Sequence, residues 1–323
     1  MKRRKLGPLE VSAVGLGCMS MTPIYGEPSD SEAIATIHRA AELGVDLVDT
    51  SDVYGNGRNE ELVGRALKGR RDKIVLATKF GQIRSPDGAG VNGKPDYVRQ
   101  ACEASLKRLD IDCIDLYYIH RVDATVPIED TVGAMARLKD AGKIRFLGIS
   151  ECAPATLRRA HKVHPIAALQ TEYSLWTRDA EAELLDTCAA LGVGYVAYAP
   201  LGRGFLTGTV SDATLAAKDR RREHPRFFAE NMAKNVALLP TLQELADKEH
   251  ATPAQLAIAW LLSRRPFIVP LPGTSRRRWL EENAKAADLS PAPETLAALD
   301  RAFPPGVTAG TRYPEAQLKR LGI

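Results

Sequence analysis

Four ionisable side chains stand at or beside the ends of segments that are typical of β-strands. Lys79 and His120 are the last residues of two apolar segments, and Asp49 and Tyr54 lie close together where a third segment ends. A free phenol has a pKa of about 10, and a neighbouring ammonium group favours the phenolate and lowers that pKa. If the four side chains meet, they predict a tyrosine able to donate a proton near neutral pH, as the protonation of a carbonyl oxygen requires.

The segments that must position these side chains alternate between helix and strand along most of the chain. Amphipathic stretches that end at glycine or begin at proline predict helices, and continuous apolar runs predict parallel strands buried on both faces. Eight such strands, nearly all followed by a helix, fit a (β/α)8 barrel in a chain of 323 residues; a doubly wound open sheet is the alternative. The predicted strands span residues 14–18, 45–50, 73–79, 114–120, 144–150, 166–172, 194–199 and 267–271. The predicted helices span residues 31–43, 60–67, 95–109, 128–141, 154–162, 180–191, 253–263 and 277–287.

Three segments depart from this rhythm. Residues 1–14 predict a short β-hairpin, residues 200–250 hold a long loop with an extra helix at 235–248, and residues 303–323 form a tail rich in proline and glycine. Long loops in a compact domain are usually functional, so we expect the second and third segments at the active face. We expect residues 1–323 to form a single domain.

Each of the four ionisable residues has a structural explanation when it is taken alone. Tyr54 could be a turn aromatic, Lys79 a solvated strand end, Asp49 a helix cap and His120 a hydrogen-bonded core residue. Taken together they favour a site, because three strands would place ionisable groups at the end of a barrel where active sites form. Such groups are costly to bury unless they are paired.

Composition argues against several other classes of protein. Hydrophobic residues make up 45% and charged residues 26% of the chain, and the net charge is +4, so we expect no nucleic-acid partner. No run approaches the about 20 apolar residues that span a bilayer, and we expect no membrane partner. The five cysteines have no paired spacing, which indicates reduced thiols and a cytoplasmic location, with neither a disulfide framework nor a metal site.

Three motifs that resemble binding sites are better explained in other ways. Gly15-Leu16-Gly17 lacks the third glycine of the dinucleotide fingerprint, and we reject a Rossmann site there. The segment 88–95 imitates a phosphate-binding loop, but Pro95 stands where a hydroxyl must bind magnesium, so a surface loop is favoured. His161 and His164 lack further ligand residues and predict a solvated pair.

From end to end, the chain resembles the aldo-keto reductases, and most closely the bacterial and plant branch that includes perakine reductase and the auxin-induced-type reductases. Several long motifs carry the resemblance, and together they are highly specific. They are residues 48–55 (VDTSDVYG), 59–64 (NEELVG), 77–79 (ATK), 105–109 (SLKRL), 114–120 (IDLYYIH), 142–145 (GKIR), 148–150 (GIS) and 269–274 (VPLPGT).

The resemblance implies reduction of aldehydes or ketones by NADPH. Tyr54 would donate the proton, Lys79 would lower the pKa of Tyr54, Asp49 would pair with Lys79, and His120 would donate a hydrogen bond to the carbonyl oxygen. Asp49 is preferred to Asp52 because the family's carboxylate directly precedes the threonine, and Asp52 is expected only to line the pocket.

The resemblance also implies a set of cofactor contacts. Ser150 and Gln170 match the partners of the nicotinamide carboxamide, Tyr198 matches the stacking aromatic, and Arg278 is our choice for the 2′-phosphate because basic residues beside that group favour NADP. The full set is Cys18, Met19, Asp49, Ser150, Gln170, Tyr198, Ala199, Leu201, Gly202, Arg221, Gly273, Thr274, Ser275, Arg278, Glu282 and Asn283.

The chain departs from the family at a few of these positions. Glu151 stands where many members have the asparagine of the carboxamide contact, Trp279 stands where an arginine or glutamine is common, and Cys18 and Met19 replace threonine and tryptophan. We expect a substrate pocket lined by Met19, Met21, Tyr25, Tyr54, the loop after His120, residues 200–230 and the tail. The mixed character of these loops predicts a broad preference for small or aromatic aldehydes.

Two other functional interpretations stay open at this point. The barrel could be a cofactor-sensing subunit of a larger assembly with little turnover, although an intact set of four catalytic residues argues against a purely structural role. A metal-dependent hydrolase would need clustered histidines and carboxylates, which the sequence does not show. The oligomeric state is left open between monomer and homo-oligomer.

Overall fold

Eight parallel strands form one sheet that closes on itself in a computed structural model, which describes residues 1–85 and 88–323. Neighbouring strands in the sheet follow one another in the order of the sequence, and a parallel bridge from Gly17 to Gly273 joins the first strand to the last. The predicted (β/α)8 barrel is therefore confirmed. The barrel strands are β3 (Leu16–Gly17), β4 (Leu47–Asp49), β5 (Val75–Phe80), β8 (Ile114–Ile119), β9 (Ile144–Ser150), β10 (Ile166–Glu172), β11 (Gly194–Tyr198) and β12 (Ile268–Leu271).

Helices surround this sheet between successive strands, because the strands are apolar on both faces and need cover outside as well as inside. The helices are α1 (Asp30–Glu42), α2 (Arg58–Leu67), α3 (Pro95–Leu109), α4 (Ile128–Asp140), α5 (Pro154–Val163), α6 (Leu184–Leu191), α7 (Ala229–Asn235), α8 (Leu239–Lys248), α9 (Pro253–Arg264), α10 (Arg277–Lys285), α11 (Pro293–Ala302) and α12 (Glu315–Leu318).

The predicted N-terminal hairpin plugs one end of the barrel. Strands β1 (Arg3–Leu6) and β2 (Leu9–Ser12) pair in antiparallel register, and Leu6, Leu9 and Val11 join the buried cluster formed by the inward-facing side chains of the barrel strands. A Cβ on Gly194 would lie 2.3 Å from the Leu6 backbone, so the hairpin rests directly on β11. With this end closed, the opposite end, at the carboxyl ends of the strands, is left for a site.

The short first strand explains the glycines that imitate a dinucleotide fingerprint. Gly15 and Gly17 donate backbone hydrogen bonds to Pro270 and Pro272 and so close the barrel. A Cβ on Gly15 would lie 2.8 Å from a methyl carbon of Leu271, which leaves no room for a side chain. The two glycines serve close packing between strands, in agreement with the rejection of a Rossmann site.

The elements outside the barrel rhythm differ from prediction in several places, and α7, α11 and α12 were not predicted. The single helix predicted at 235–248 is interrupted, and α8 starts only at Leu239, with Pro240 in its first turn. Proline lacks the N–H that a continuous helix would need there. Strands β6 (Gln82–Ser85) and β7 (Gly88–Val91) form a hairpin that was not predicted. Residues 88–91 of the supposed phosphate loop belong to β7, and the Gly93 N–H donates to Asp123 at 2.9 Å, so the segment is the second strand of a hairpin and the turn after it rather than the expected surface loop.

Candidate active site

A cavity of about 1060 Å³ opens at the carboxyl ends of the strands and runs to the start of α10. The loop after β11, in residues 199–224, and the tail, through Tyr313 and α12, contribute to its wall, as expected for the two long segments. The predicted site residues that line it are Met19, Asp49, Tyr54, His120, Ser150, Gln170, Tyr198, Ala199, Leu201, Arg221, Gly273, Thr274, Ser275, Glu282 and Asn283.

An ion pair between Lys79 and Asp49 lies beneath the floor of this cavity. The Lys79 ammonium donates to Asp49 and to the Thr50 carbonyl oxygen at 2.8 Å, and the second oxygen of Asp49 accepts a hydrogen bond from Gln170 at 2.8 Å. Lys79 is 0% and Asp49 is 3% exposed. Burial works to lower the pKa of Lys79, but the charges and hydrogen bonds of Asp49 and Tyr54 together outweigh it, so that the pKa is raised and Lys79 stays protonated.

Tyr54 is directed at this ion pair from the loop after β4. Its hydroxyl lies 3.4 Å from the Lys79 nitrogen, and that nitrogen lies 5.1 Å from the centre of the Tyr54 ring. Lys79 lowers the pKa of Tyr54, as the sequence predicts, but burial raises this pKa by more, so the net shift is upward from 10 and not the expected net decrease. Tyr54 is therefore protonated at neutral pH, which suits a proton donor.

His120 follows β8 and stands edge-on to Tyr54, with the two ring centres 5.9 Å apart. Its Nδ1 lies 3.0 Å from the Ser51 hydroxyl. Burial, followed by the charges of Arg121 and Lys79, lowers the pKa of His120 well below 6.5. The imidazole is therefore neutral at neutral pH, and one of its two nitrogens can donate a hydrogen bond into the cavity.

Asp52 forms a different contact from Asp49, although both lie beside Tyr54 in the sequence. Asp52 accepts a hydrogen bond from the Ser51 hydroxyl at 3.2 Å, and it is not among the described residues that line the cavity. Burial and the nearby charge of Glu60 raise the pKa of Asp52 to about 7. The structure thus assigns Asp49, and not Asp52, to Lys79.

The predicted carboxamide and stacking residues are adjacent on β9, β10 and β11. The Ser150 hydroxyl accepts a hydrogen bond from Arg121, the neighbour of His120, at 3.2 Å, and Gln170 donates one to Asp49. Tyr198, at the end of β11, forms part of the cavity wall.

The Glu151 side chain contacts Tyr198, the predicted stacking residue, and the tail. Its carboxylate accepts hydrogen bonds from Tyr198 at 2.7 Å and from Arg312 of the tail at 3.0 Å, and the Tyr198 hydroxyl also lies 3.1 Å from that of Tyr313. The backbone of Glu151 has a φ of 54°, in the left-handed region. The residue that departs from the family pattern therefore ties the tail to the aromatic wall of the cavity.

The far end of the cavity is basic and lies where α10 begins. Thr274 accepts a hydrogen bond from the Arg276 backbone N–H at 3.1 Å, and Arg276 itself lines the cavity. Arg277 instead pairs with Glu32, and Arg278 lies over the Trp279 ring at 3.9 Å, outside the cavity lining. Of the three consecutive arginines, Arg276 therefore lines the cavity, whereas Arg278, the residue predicted for the 2′-phosphate, lies outside the lining.

Three further expected residues lie elsewhere. Cys18 is fully buried behind the first loop, and Gly202 packs on Trp176, where a Cβ would lie 2.7 Å from the indole. Met21 is buried beside a separate surface depression next to α2. Cys18 and Met21 each lie next to a residue that lines the cavity, and Gly202 lies between two such residues, Leu201 and Arg203.

Arg221 lines the cavity, but its charge already has a partner. Asp219 accepts two hydrogen bonds from the Arg221 side chain, at 3.0 and 2.7 Å, and the guanidinium lies over the Tyr25 ring at 4.9 Å. Any phosphate bound at this position would share the arginine with Asp219.

Sequence reasoning missed Ser20, Arg121, Arg203 and Tyr313, which all line the cavity. Arg121 directly follows His120, and that position alone could have indicated it. Arg203 and Tyr313 come from the long loop and the tail, and the guanidinium lies 4.8 Å from the tyrosine ring. Nothing in their local sequence predicts this contact between segments far apart in the chain.

The described residues contain neither a membrane-spanning helix nor a metal-binding cluster. In the ranges 1–85 and 88–323, no helix combines the length and the apolar character needed to cross a bilayer. The same ranges contain no group of three or more His, Cys, Asp or Glu side chains arranged to hold a metal ion.

Comparisons with known proteins agree with this geometry. A model of the aldo/keto reductase family matches residues 13–303. Probable aldo-keto reductase 1 of Glycine max is 46% identical over 314 residues, which cover 96% of this chain and 91% of that protein. The chain superposes on the glycerol dehydrogenase AKR11B4 from Gluconobacter oxydans with a TM-score of 0.85, 31% identity and coverage of 93% and 94% of the two chains.

A second solved structure gives the same result. The holo form of the aldo-keto reductase AKR11C1 from Bacillus halodurans has 29% identity and a TM-score of 0.78, with coverage of 98% of this chain and 99% of that chain. The chain therefore belongs to the aldo/keto reductase family, whose members are oxidoreductases that generally use nicotinamide cofactors.

Proposed function

We propose that this protein reduces aldehydes or ketones to alcohols with NADPH. The observation that carries the proposal is the protonated Tyr54 hydroxyl, 3.4 Å from Lys79 and edge-on to a neutral His120 at the base of a large cavity. This is the arrangement that an acid needs when it must protonate one particular oxygen atom.

The catalytic roles follow from these contacts. The bound nicotinamide cofactor would supply a hydride to the carbonyl carbon. Tyr54 gives its proton to the carbonyl oxygen, and Lys79 stabilises the phenolate that remains. Asp49 holds Lys79 charged and in place, and His120 donates a hydrogen bond that orients the same oxygen.

The described residues fit a nicotinamide dinucleotide. The cavity extends from Tyr54 to the start of α10, and the Ser20 hydroxyl on its wall is buried without a hydrogen-bond partner in the structure, as expected for a group that meets a polar ligand. Ser150 and Gln170 would hold the carboxamide, Tyr198 would stack on the ring, and the remaining contacts would come from Met19, Ala199, Leu201, Arg221, Glu282 and Asn283.

The choice of NADPH over NADH rests on the segment that precedes α10. Gly273, Thr274 and Ser275 are small residues on the cavity wall, and Arg276 joins them at the start of a nine-residue helix. A guanidinium beside a helix N-terminus favours a doubly charged phosphate over a hydroxyl. We assign the 2′-phosphate to this segment.

The substrate pocket would lie between Tyr54, Met19 and Tyr25, with Tyr313 of the tail opposite. Its mixture of apolar and polar side chains supports a broad preference for small or aromatic aldehydes. Because the cysteines are all free, we also propose a cytoplasmic location.

The test is NADPH oxidation followed against a panel of aldehydes and ketones, repeated with NADH and with Tyr54→Phe. We expect turnover with the wild type, at least a hundred-fold less with the variant, and NADPH binding to the variant that is nearly intact. Unchanged turnover in Tyr54→Phe would show that another group is the acid. If no carbonyl compound is reduced by the wild type, the alternative of a cofactor-sensing subunit takes the place of this proposal.

A further inference from the structure

Three polar side chains behind the catalytic tyrosine form a continuous chain of hydrogen bonds. The Ser51 hydroxyl lies 3.2 Å from a carboxylate oxygen of Asp52 and 3.0 Å from Nδ1 of His120. Ser51 is 0% exposed, so no bulk water competes for these contacts. Its other polar contacts, to the Lys79 carbonyl oxygen and the Val53 N–H, are both longer at 3.4 Å.

The charged and titratable groups around Asp52 come from three elements. Glu60 of α2 faces Asp52 and is itself held by Arg108 of α3 and by Thr78, and Tyr97 of α3 and Tyr117 of β8 also lie within electrostatic reach. Among the residues that the structure describes, none of the arginines or lysines forms an ion pair with Asp52. Burial and the charge of Glu60 raise the pKa of Asp52 to about 7, so its carboxyl changes its charge at neutral pH.

The two charge states of Asp52 imply opposite arrangements of the protons. With Asp52 ionised, the Ser51 hydroxyl donates to the carboxylate and His120 donates from Nδ1 to the Ser51 oxygen, which leaves Nε2 as an acceptor. With Asp52 protonated, the carboxyl donates to the Ser51 oxygen and the Ser51 hydroxyl donates to Nδ1. The imidazole proton is then on Nε2, and His120 can donate to a carbonyl oxygen in the cavity.

We propose that Ser51 and Asp52 are positioning residues that select the tautomer of His120, with the protonated carboxyl of Asp52 making Nε2 the donor to the substrate. This inference rests on the proposed function, because it assigns a state of His120 to carbonyl reduction. It adds two residues to the site, and it makes reduction and alcohol oxidation prefer different protonation states of one carboxyl group. Reduction needs Nε2 to donate; the ionised state favours Nε2 as an acceptor.

The other members of the catalytic set do not change charge in the same range of pH. The pKa of Tyr54 is raised above 10, that of Lys79 is raised above 10.5, and that of His120 is well below 6.5. The reductive rate should therefore be highest below the pKa of Asp52 and fall as the pH rises through about 7. Between pH ~6 and ~8 the fall should be about ten-fold, as for a single group that must be protonated.

Nitrogen NMR of the protein labelled with ¹⁵N-histidine tests the tautomer without any turnover. The His120 signals are assigned by their loss in His120→Asn. We expect the proton on Nε2 below about pH 7 and a shift of population to Nδ1 above it. In Asp52→Asn the side-chain amide donates to Ser51 at every pH, so the proton should stay on Nε2 throughout.

Rates for the same proteins test the consequence. Asp52→Asn should keep the rate of the acidic plateau with no decline through neutral pH, and Ser51→Ala should lose the pH dependence at a lower rate because the link is cut. Asp72→Asn, at an exposed aspartate, serves as the control and should follow the wild type. The proposal is overturned if the His120 tautomer does not change when Asp52 ionises, or if the rate does not change with the tautomer. A wild type that reduces no carbonyl compound would instead overturn the proposed function, and the NMR result would still stand by itself.

Discussion

Buried charged side chains at the ends of the barrel strands are stabilised by opposite charges, and Glu172 of β10 is an example. It is 1% exposed and lies within ion-pair distance of Arg203 and Arg226, with Arg312 of the tail nearby. Burial alone would raise the pKa of Glu172, but the three arginines outweigh it and hold the pKa at about 2. A buried charge that would be destabilising alone is thus stabilised by arginines of the long loop and the tail, and it anchors both segments.

Glu172→Gln should destabilise the protein in a pH-dependent way. Because the folded pKa lies below the ordinary value of 4.5, the contribution of the carboxylate is full above that value and is lost as the pH falls towards 2. We expect the variant to lose about 3 kcal/mol of unfolding free energy at pH ~7 and the difference to shrink below pH ~4. Urea unfolding over this range measures it, with the exposed Glu315→Gln as a control; a difference that does not vary with pH would contradict the assignment.

The closure of the barrel depends on its shortest element. Strand β3 has two residues, Leu16 and Gly17, which pair with β4 on one side. On the other side, Gly17 and the preceding Gly15 donate backbone hydrogen bonds to Pro272 and Pro270, at and just after the end of β12. A Cβ at Gly15 would approach the Leu47 carbonyl oxygen to 3.2 Å as well as the Leu271 methyl group. A backbone atom cannot move aside as the end of a flexible side chain can. The junction between β3 and β12, the seam of the barrel, therefore has no space for an added methyl group.

Gly15→Ala should destabilise the protein by about 1–3 kcal/mol through overpacking at this seam. The matched control is Gly133→Ala in the interior of α4, where the nearest atom to a new Cβ is the end of the Arg137 side chain at 3.8 Å. Alanine is preferred to glycine in a helix, and this variant should gain about 0.5–1 kcal/mol. Thermal and urea unfolding of both variants should shift in opposite directions, and a shift of the same sign would show that the seam is not tightly packed.

At the scale of the whole molecule, the cavity joins two chemically different ends. Its floor is a buried set of ionisable groups, and its far end lies at the start of α10, where Arg276 lines it, with the long loop and the tail between them. Neither end can be built from one segment, because its residues come from strands, loops and a tail that are distant in sequence. The tail is fixed there by Arg312 and Tyr313, through Glu151 and Tyr198.

The distribution of charge along this cavity leads to a prediction about cofactor choice. Arg276→Met should weaken NADPH binding about ten- to a hundred-fold, since it removes a charge-assisted contact to the 2′-phosphate, and should leave NADH binding nearly unchanged. Arg278→Met is the control, because that guanidinium lies over Trp279 outside the cavity. Fluorescence titration with both cofactors measures the effect, and the assignment fails if Arg278→Met is the variant that loses NADPH.

The sequence by itself determined the architecture and led to the proposal of Tyr54 as the acid. Apolar periodicity predicts the barrel because buried parallel strands require apolar side chains on both faces, and the four ionisable residues stand out because such groups are expensive to bury without a purpose. The resemblance to the family's motif, in which the carboxylate directly precedes the threonine, is what distinguishes Asp49 from Asp52.

Only the tertiary structure decided which neighbouring groups modify those residues. The net direction of the Tyr54 pKa depends on the depth of burial, which depends on loops packed over it from elsewhere in the chain. Arg276 rather than Arg278 faces the cavity because of the angle at which α10 begins, and Glu151 meets Arg312 because the tail returns across 161 residues. These are long-range balances of desolvation and Coulomb energy, and they arise only when the whole chain is folded.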